Sequence, residues 1–180
     1  ITAFNSRVFS GGVNFGIPIS EFNSISTAIT YENTELTQDG FFAAEVLDFT
    51  NQEGNQFDTL RLSAGFAYDS RNKAILPESG TFHSVLGEIT VPSFGNSLEF
   101  YKISYRGQWL RPLFGDFIFS LKGNFGYGDG YLGSEELPFF ENFYAGGPSS
   151  VRGYKENTLG PTDSVGRPIG GNIKIVGGAE

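Results

Sequence analysis

The sequence predicts an all-β fold, an antiparallel meander whose strands suit a transmembrane β-barrel better than a sandwich. Three observations lead there. Apolar and polar residues alternate with a period of two through segment after segment, the pattern of strands with one apolar face. Short and long connections alternate between those segments. Aromatic residues are abundant, 16% of the chain with 19 Phe and 8 Tyr beside 25 Gly, a mixture that girdled barrels show. No stretch supports a long amphipathic helix.

The elements follow in order. A first strand, at about 8–19, sets Val13, Phe15 and Ile17 against Gly12, Asn14 and Gly16. A tight turn near Ser20-Glu21-Phe22 leads to a second, at about 23–36, with Ile25, Thr27, Ile29 and Tyr31 alternating with Ser24, Ser26, Ala28 and Thr30. A long connection, Thr37 to Gln56, is polar in its second half. The third strand, about 57–70, is the cleanest: Leu60, Leu62, Ala64, Phe66 and Tyr68 on one face, Thr59, Arg61, Ser63, Gly65, Ala67 and Asp69 on the other. After a turn at Arg71 to Gly80, a fourth at about 80–92 alternates Val85, Gly87, Ile89 and Val91 with Ser84, Leu86, Glu88 and Thr90. A short link near 92–97 precedes a fifth strand, about 97–111, with Tyr101, Ile103, Tyr105, Gly107 and Trp109 opposite Lys102, Ser104, Arg106, Gln108 and Leu110. Beyond Pro112-Leu113-Phe114-Gly115, a sixth at about 115–128 pairs Phe117, Phe119, Leu121, Phe125 and Tyr127 with Ser120, Lys122, Asn124, Gly126 and Gly128, Ile118 being an exception. The longest connection runs from Asp129 to Gly170. The last strand, about 171–180, sets Ile173, Ile175 and Ala179 against Asn172, Lys174 and Glu180.

Short turns at one end and long loops at the other are the asymmetry of outer-membrane barrels, imperfect here at 71–80 and 92–97. A sandwich would alternate equally well. Two features favour the barrel. The apolar faces carry aromatics towards their ends, as interfacial girdles do. The opposite faces, rich in Gly, Ser and Asn with occasional charges, suit a hydrated lumen.

Composition narrows the chemistry. With no Cys there is no disulfide scaffold, thiolate metal site or cysteine nucleophile. A net charge of −8 with scattered Lys and Arg excludes a basic stripe for nucleic acid. No run reaches the ~18 apolar residues of a membrane helix. Ile1 to Arg7 lacks the pattern of a signal peptide. The absence of Met, unusual in a full-length gene product, leads us to expect an excised piece, or a chain that lacks its initiator for another reason. His83 is the single histidine. No strained G-x-S-x-G turn accompanies it, and no His/Asp/Glu cluster has metal-ligand spacing. No catalytic residue, metal or cofactor is therefore expected.

The most informative stretch is Pro138 to Tyr154. It is too aromatic for a solvated loop and too rich in Gly and Pro for a strand. Its one arginine, Arg152, needs an acceptor if enclosed, because an unpaired buried charge is costly. Otherwise Arg152 is a solvated loop residue. Phe139, Phe140, Phe143, Tyr144 and Tyr154 fit packing of the loop against itself and a wall better than a ligand box. Gly146, Gly147 and Gly153 allow backbone geometry or close approach closed to other residues. Asp69, Arg71, Pro77 and Gly80 read as turn determinants.

Three blocks, Phe125-Gly126-Tyr127-Gly128-Asp129-Gly130, Glu136 through Gly147, and Val151-Arg152-Gly153-Tyr154 followed by Asn157 to Pro161, closely resemble the BamA family of bacterial outer-membrane protein assembly factors. Asp69-Ser70-Arg71 with Leu76 to Gly80 is similar to that family's periplasmic turn, and Gly170-Gly171-Asn172 with Glu180 to the strand after its long loop. The markers run from about residue 66 to the end; residues 1–60 carry no motif. The resemblance implies a sixteen-stranded barrel, of which residues 1–180 would be a partial domain. It would supply about seven consecutive strands, with a loop at about 129–170 inserted in the lumen. The first and closing strands, the seam where substrates pair, and the POTRA domains would lie elsewhere.

The resemblance further implies that Val151, Arg152, Gly153 and Tyr154 brace the barrel. Arg152 would be held by inward-facing acids, Glu180 among them, while Phe140, Phe143, Tyr144, Gly146 and Gly147 pack the loop. Glu180 shares the parity of Asn172 and Lys174, the polar face, and an arginine–carboxylate pair can be bidentate. The implied function is non-enzymatic assembly and insertion of β-barrel proteins in the outer membrane of a Gram-negative bacterium. Its partners would be outer-membrane lipids, unfolded outer-membrane proteins as substrates, and accessory lipoproteins in the full-length protein. One alternative is a translocating pore of the same superfamily, of two-partner-secretion or TamA type. Such a pore would share Val-Arg-Gly-Tyr but not its Glu-Asn-Phe-Tyr-Ala-Gly-Gly context. Another is a barrel enzyme, which would have to use His83.

Overall fold

The computed structural model describes residues 5–37, 43–92, 95–134 and 136–180. Residues 1–4, read above for a leader pattern, and parts of the connections at 37–56 and 92–97 lie outside the described residues. The alternating segments become β1 (Asn5–Pro18), β2 (Asn23–Thr37), β3 (Gln56–Asp69), β4 (Gly80–Val91), β5 (Phe100–Pro112), β6 (Ile118–Gly130) and β7 (Ile173–Ala179). They form one seven-stranded sheet in sequence order, and every neighbouring pair is antiparallel. The sheet does not close: β1 and β7 are its edges.

The register shows what the alternation achieves. Ile17, Ile25, Phe66, Val85, Tyr105, Phe125 and Ile175 lie directly opposite one another across all seven strands. This apolar row is unbroken, and no second sheet covers it among the described residues; Ile17 and Ile175 are largely exposed. The next row, Gly16, Ser26, Gly65, Leu86, Ser104, Gly126 and Lys174, belongs to the other face and is small or polar but for Leu86. A sandwich would bury the first row against a partner sheet. Here the apolar face is bare and the polar face carries the long connection.

Aromatics bound the apolar face at both ends. Phe22 and Tyr68 meet at 6.2 Å, Trp109 and Phe119 at 6.1 Å, and Phe114 and Phe117 at 5.2 Å near the short turns. Tyr101 and Tyr127 meet at 6.0 Å near the long loops. The hydroxyls of Tyr31 and Tyr127 donate there to Asp58 (2.6 Å) and Asp129 (3.1 Å). Such rings, apolar in body and polar at the tip, suit an interface between lipid and water.

Three local features differ from expectation. The connection after β2 contains a helix, α1 (Ala44–Glu53). With ten residues and few apolar positions it is too short for periodicity to declare itself. It buries Val46 and ends at Gly54, whose φ of +90° lets its N–H reach Thr50 O at 3.0 Å. β5 starts three residues later than expected, because Leu98 turns inward to be buried. β6 starts at Ile118, because Phe117 belongs to the turn: its carbonyl accepts from Leu113 N (2.9 Å) and Gly115 takes φ +55°. The turn before β4 follows its determinants. Arg71 grips Asp69 through Nε (2.8 Å) and Nη2 (2.6 Å), its guanidinium lies 4.6 Å from the Phe82 ring, and Gly80 has φ +107°.

Candidate functional site

The connection from β6 to β7 lies along the polar face and descends it. Its path is written in alternate residues of β6. A Cβ on Gly130 would strike the Ser134 carbonyl, and one on Gly128 would stand 3.1 Å from Leu137 Cδ2. A Cβ on Gly126 would stand 2.7 Å from Phe143 Cε1. Further down, Arg152 reaches the end of β7. The Phe125-Gly-Tyr-Gly-Asp-Gly run is thus a strand with rings on its bare face and no side chains where the loop presses.

At the long-loop end, the first limb of the connection completes a small core. Leu36 from β2, Phe57 from β3, and Leu98 and Phe100 from β5 and its approach enclose Leu137, with Phe49 of α1, Phe139 and Phe140 packed around them. Phe140 stacks on Phe57 at 5.8 Å, and Phe49 meets Phe139 edge-on at 5.1 Å. The second limb ties to α1 as well, since Ser164 Oγ donates to Glu45 Oε2 (2.9 Å) and accepts from Ala44 N (3.1 Å).

Just below this core is a charged centre that sequence reasoning missed. Arg61 of β3 meets Glu141 Oε1 (2.6 Å), Glu32 Oε2 (2.8 Å) and Glu88 Oε1 (3.4 Å). Lys102 of β5 meets the other oxygen of Glu141 at 2.9 Å. A loop carboxylate thus bridges cations of two strands. Burial alone would push the Glu141 carboxyl up, but Arg61 and Lys102 outweigh it and hold it below the usual range. The rings of Phe100 (5.3 Å from Arg61) and Phe143 (5.0 Å from Lys102) flank the cations. The sequence displayed Arg61 and Lys102 only as polar members of alternating strands, and Glu141 only inside the motif block; their meeting depends on register and on the loop's path.

Of the residues expected to pack the loop, Phe140 sits against the core and Phe143 over Gly126. Phe143 also pairs with Gly171 through N–H···O bonds of 2.8 and 3.0 Å. Tyr144 is half-buried beside Gly170. Gly146 and Gly147 have φ of +113° and +90°. A Cβ on Gly146 would strike the Lys155 carbonyl, and Gly147 N donates to Tyr154 O at 3.1 Å.

The Val151-Arg152-Gly153-Tyr154 turn is mostly open: Val151 is half-buried, and Arg152, Gly153 and Tyr154 are exposed. Arg152 has 80% of its side chain exposed and its Nη1 lies 3.7 Å from Glu180 Oε1, while Lys122 Nζ holds Oε2 of the same carboxylate at 2.7 Å. Gly153 takes φ +91° with open space beside it, and Tyr154 points largely to solvent. Magnitudes rank the two contacts. An exposed pair contributes about 0–1 kcal/mol, whereas losing one member of a buried pair costs on the order of 3 kcal/mol. In this chain, Glu141 therefore holds the loop more firmly than Arg152 does.

His83 lies on the bare face, its Nδ1 2.7 Å from Tyr105 OH and its ring stacked on Tyr105 at 6.0 Å. No group of His, Asp and Glu with the geometry of a metal site occurs among the described residues.

Comparisons with known proteins bear on this geometry. The sequence pattern of the Omp85 superfamily domain matches residues 1–180. The outer membrane protein assembly factor BamA of Neisseria meningitidis serogroup B is 32% identical over 192 aligned positions, covering 100% of this chain and 24% of its own length. The sorting and assembly machinery component 50 homolog of Mus musculus is 34% identical over 120 positions, 65% of this chain and 24% of its own length. The crystal structure of BamA from Haemophilus ducreyi lacking POTRA domains 1-3 has a TM-score of 0.83 at 21% identity, over 96% of this chain and 36% of that one. That likeness shows the fold: an antiparallel barrel meander, here as an open sheet. The chain spans about a quarter of the length of these curated relatives.

Proposed function

Because the chain belongs to the Omp85 superfamily, we propose that residues 1–180 form part of a barrel wall that serves the assembly and insertion of β-barrel proteins in the outer membrane of a Gram-negative bacterium. The observation that carries this reading is the seated loop. The segment from Phe139 to Tyr154 lies on the polar face of a sheet whose other face is a continuous apolar row, in a chain alignable with BamA along its whole length. The bare face takes lipid, and the aromatic belts mark the two interfaces. The polar face lines a hydrated lumen, which the loop fills. A wall stiffened in this way holds its shape while substrate strands pair at the barrel seam, which lies beyond these seven strands.

In this reading Val151 to Tyr154 is the brace, with Glu180 as acceptor for Arg152, and the distance between them shortens once neighbouring strands enclose the loop. The translocating-pore alternative is not favoured, since the relatives are named as assembly components. The work is done by binding and by shape, without catalytic residues or cofactor. Unfolded outer-membrane proteins are the substrates, with other assembly components as partners in the full-length protein.

Reconstitution tests it. The full-length gene product, placed in liposomes with its assembly partners, speeds insertion of an unfolded outer-membrane protein, read as the folded band on a semi-native gel. Arg152→Ala slows that insertion at least threefold, and His83→Asn leaves it unchanged. Absence of any acceleration by the wild-type protein would remove the assembly function. Wild-type rates for Arg152→Ala would remove the brace while leaving the function in place. Loss of insertion in His83→Asn protein would reopen the enzymatic alternative.

A further inference from the structure

We propose that Glu141 is the positioning residue that seats the long loop on the wall, by bridging Arg61 and Lys102, and that this seat is separate from the Arg152 turn. The inference rests on the reading of the loop as a brace inside an assembly barrel.

The contacts divide the charges into a wall set and a loop charge. On the wall, Arg61 already has Glu32 at 2.8 Å and Glu88 at 3.4 Å. Those three side chains belong to consecutive strands β2, β3 and β4, so the wall keeps an internal ion pair without the loop. Lys102 is placed differently: its ion pair among the described residues is with Glu141, at 2.9 Å. Glu141 also makes the shortest contact to Arg61, 2.6 Å. Removing the loop carboxylate therefore takes away the ion pair of Lys102, with Glu88 as the wall carboxylate opposite it in the register, and leaves the wall pairs of Arg61 intact. Oε1 of Glu141 accepts from Arg61 Nη2 (2.6 Å), while Oε2 accepts from Lys102 Nζ (2.9 Å) and, at 3.5 Å, from Arg61 Nη1, so the carboxylate is fixed in direction as well as in place.

The surroundings make this centre count. Arg61, Lys102 and Glu141 expose 11%, 14% and 17% of their side chains. Phe100 and Phe143 shield the cations, and Phe139 and Phe140, next to Glu141 in sequence, pack into the core above it. Salt screens such a pair far less than a surface pair. The two contacts of the loop also have opposite polarity. Upstream, a loop anion meets wall cations; downstream, a loop cation, Arg152, meets a wall anion, Glu180. Inserting the loop the other way round would break both contacts at once, leaving Lys102 without the Glu141 carboxylate and Glu180 without Arg152.

A buried thiol reads the seat. Leu137, a residue of the loop's first limb, is 6% exposed in the core, and residues 1–180 hold no native cysteine, so Leu137→Cys in the full-length, membrane-inserted protein, with any cysteine outside these residues replaced by serine, reports loop release through its rate of maleimide labelling. Glu141→Gln, equal in shape but neutral, raises that rate at least tenfold. Glu141→Asp, which keeps the charge, stays within threefold of the parent, a rescue that a purely steric role would not give. Arg152→Ala also stays within threefold. Equal labelling of the Glu141→Gln and parent proteins overturns the proposal, as does an increase in Arg152→Ala protein matching that in Glu141→Gln. If Glu141→Gln gives no heat-modifiable barrel, Lys102→Gln takes its place: at least a threefold rise supports the seat, and none overturns it. Insertion of a substrate protein, measured on the same samples, separates the two readings. Released labelling with unimpaired insertion keeps the seat and removes the brace's part in assembly.

Discussion

Asp163, in the second limb of the loop, shows how one carboxylate can hold a turn. Its Oδ1 accepts from the N–H of Val165 (3.0 Å) and of Arg167 (2.7 Å), and its Oδ2 from Arg167 Nε (2.9 Å). Burial alone would push its carboxyl up; these donors and the guanidinium charge outweigh burial and hold it below the ordinary range. Its folded value therefore lies below the unfolded value of about 4. Stability from the ionised form is then fully present above pH ~4 and is lost as pH falls through the folded value. Hydrogen-exchange protection of the Val165 and Arg167 amides, corrected for intrinsic exchange, stays level from pH 7 to about 5 and collapses in stronger acid. In Asp163→Asn protein it is low throughout. Protection that rises on acidification would contradict the sign. Neither this turn nor the Glu141 centre was legible in the sequence, because a polar residue in a pattern declares its face and not its partner. Arg152 stood out only because its motif did, and its exposure here shows that a conspicuous residue need not carry the firmest contact.

At the scale of elements, β6 is shaped by what lies on it. Gly126, Gly128 and Gly130 all point at the loop, while Gly123 faces away with nothing within 4 Å of a built Cβ. An added methyl at Gly130 meets backbone, the Ser134 carbonyl and Glu136 N at 2.8 Å, which cannot swing aside. At Gly126 it meets the Phe143 ring at 2.7 Å, which can tilt only by disturbing its contact with Lys102. Overpacking of this kind costs about 1–3 kcal/mol, so Gly130→Ala lands near the top of that range and Gly126→Ala in its middle. Gly123→Ala changes stability by less than about 0.5 kcal/mol, since a strand glycine with free space gains order from a side chain. Urea midpoints of the three variants in the full-length protein check the ranking; equal losses at all three positions would mean that the loop does not rest there. The strands were legible because six of the seven are twelve or more residues long and every one carries a run of period-two alternation. Helix α1 was not, because ten residues with a single fully buried side chain leave no stripe to read.

For the whole molecule, the decisive arrangement is the unbroken apolar row from Ile17 to Ile175 beside a polar face already occupied by the loop. Alternation alone left barrel and sandwich open; the structure shows a single sheet whose polar face carries the loop. From Leu60 to Tyr68, the outer face of β3 runs about 26 Å at ~3.3 Å per residue, which comes to about 20 Å when strands lean by ~40°. That is close to the height of an outer-membrane apolar band. Among the described residues no strand pairs with the outer edge of β1 or of β7, and in hydrocarbon each N–H or C=O group left without a partner costs several kcal/mol. Neither edge is blunted by a bulge, and β1 carries proline only at its last residue. Residues 1–180 expressed alone therefore do not give a closed monomer in detergent. The edges pair with a second copy, or the chain aggregates, because pairing of edges removes the largest unmet demand in the sheet. Semi-native electrophoresis with light scattering decides: dimers and larger species without a heat-modifiable monomer band are expected. A monodisperse monomer with that band would show that the seven strands satisfy their own edges.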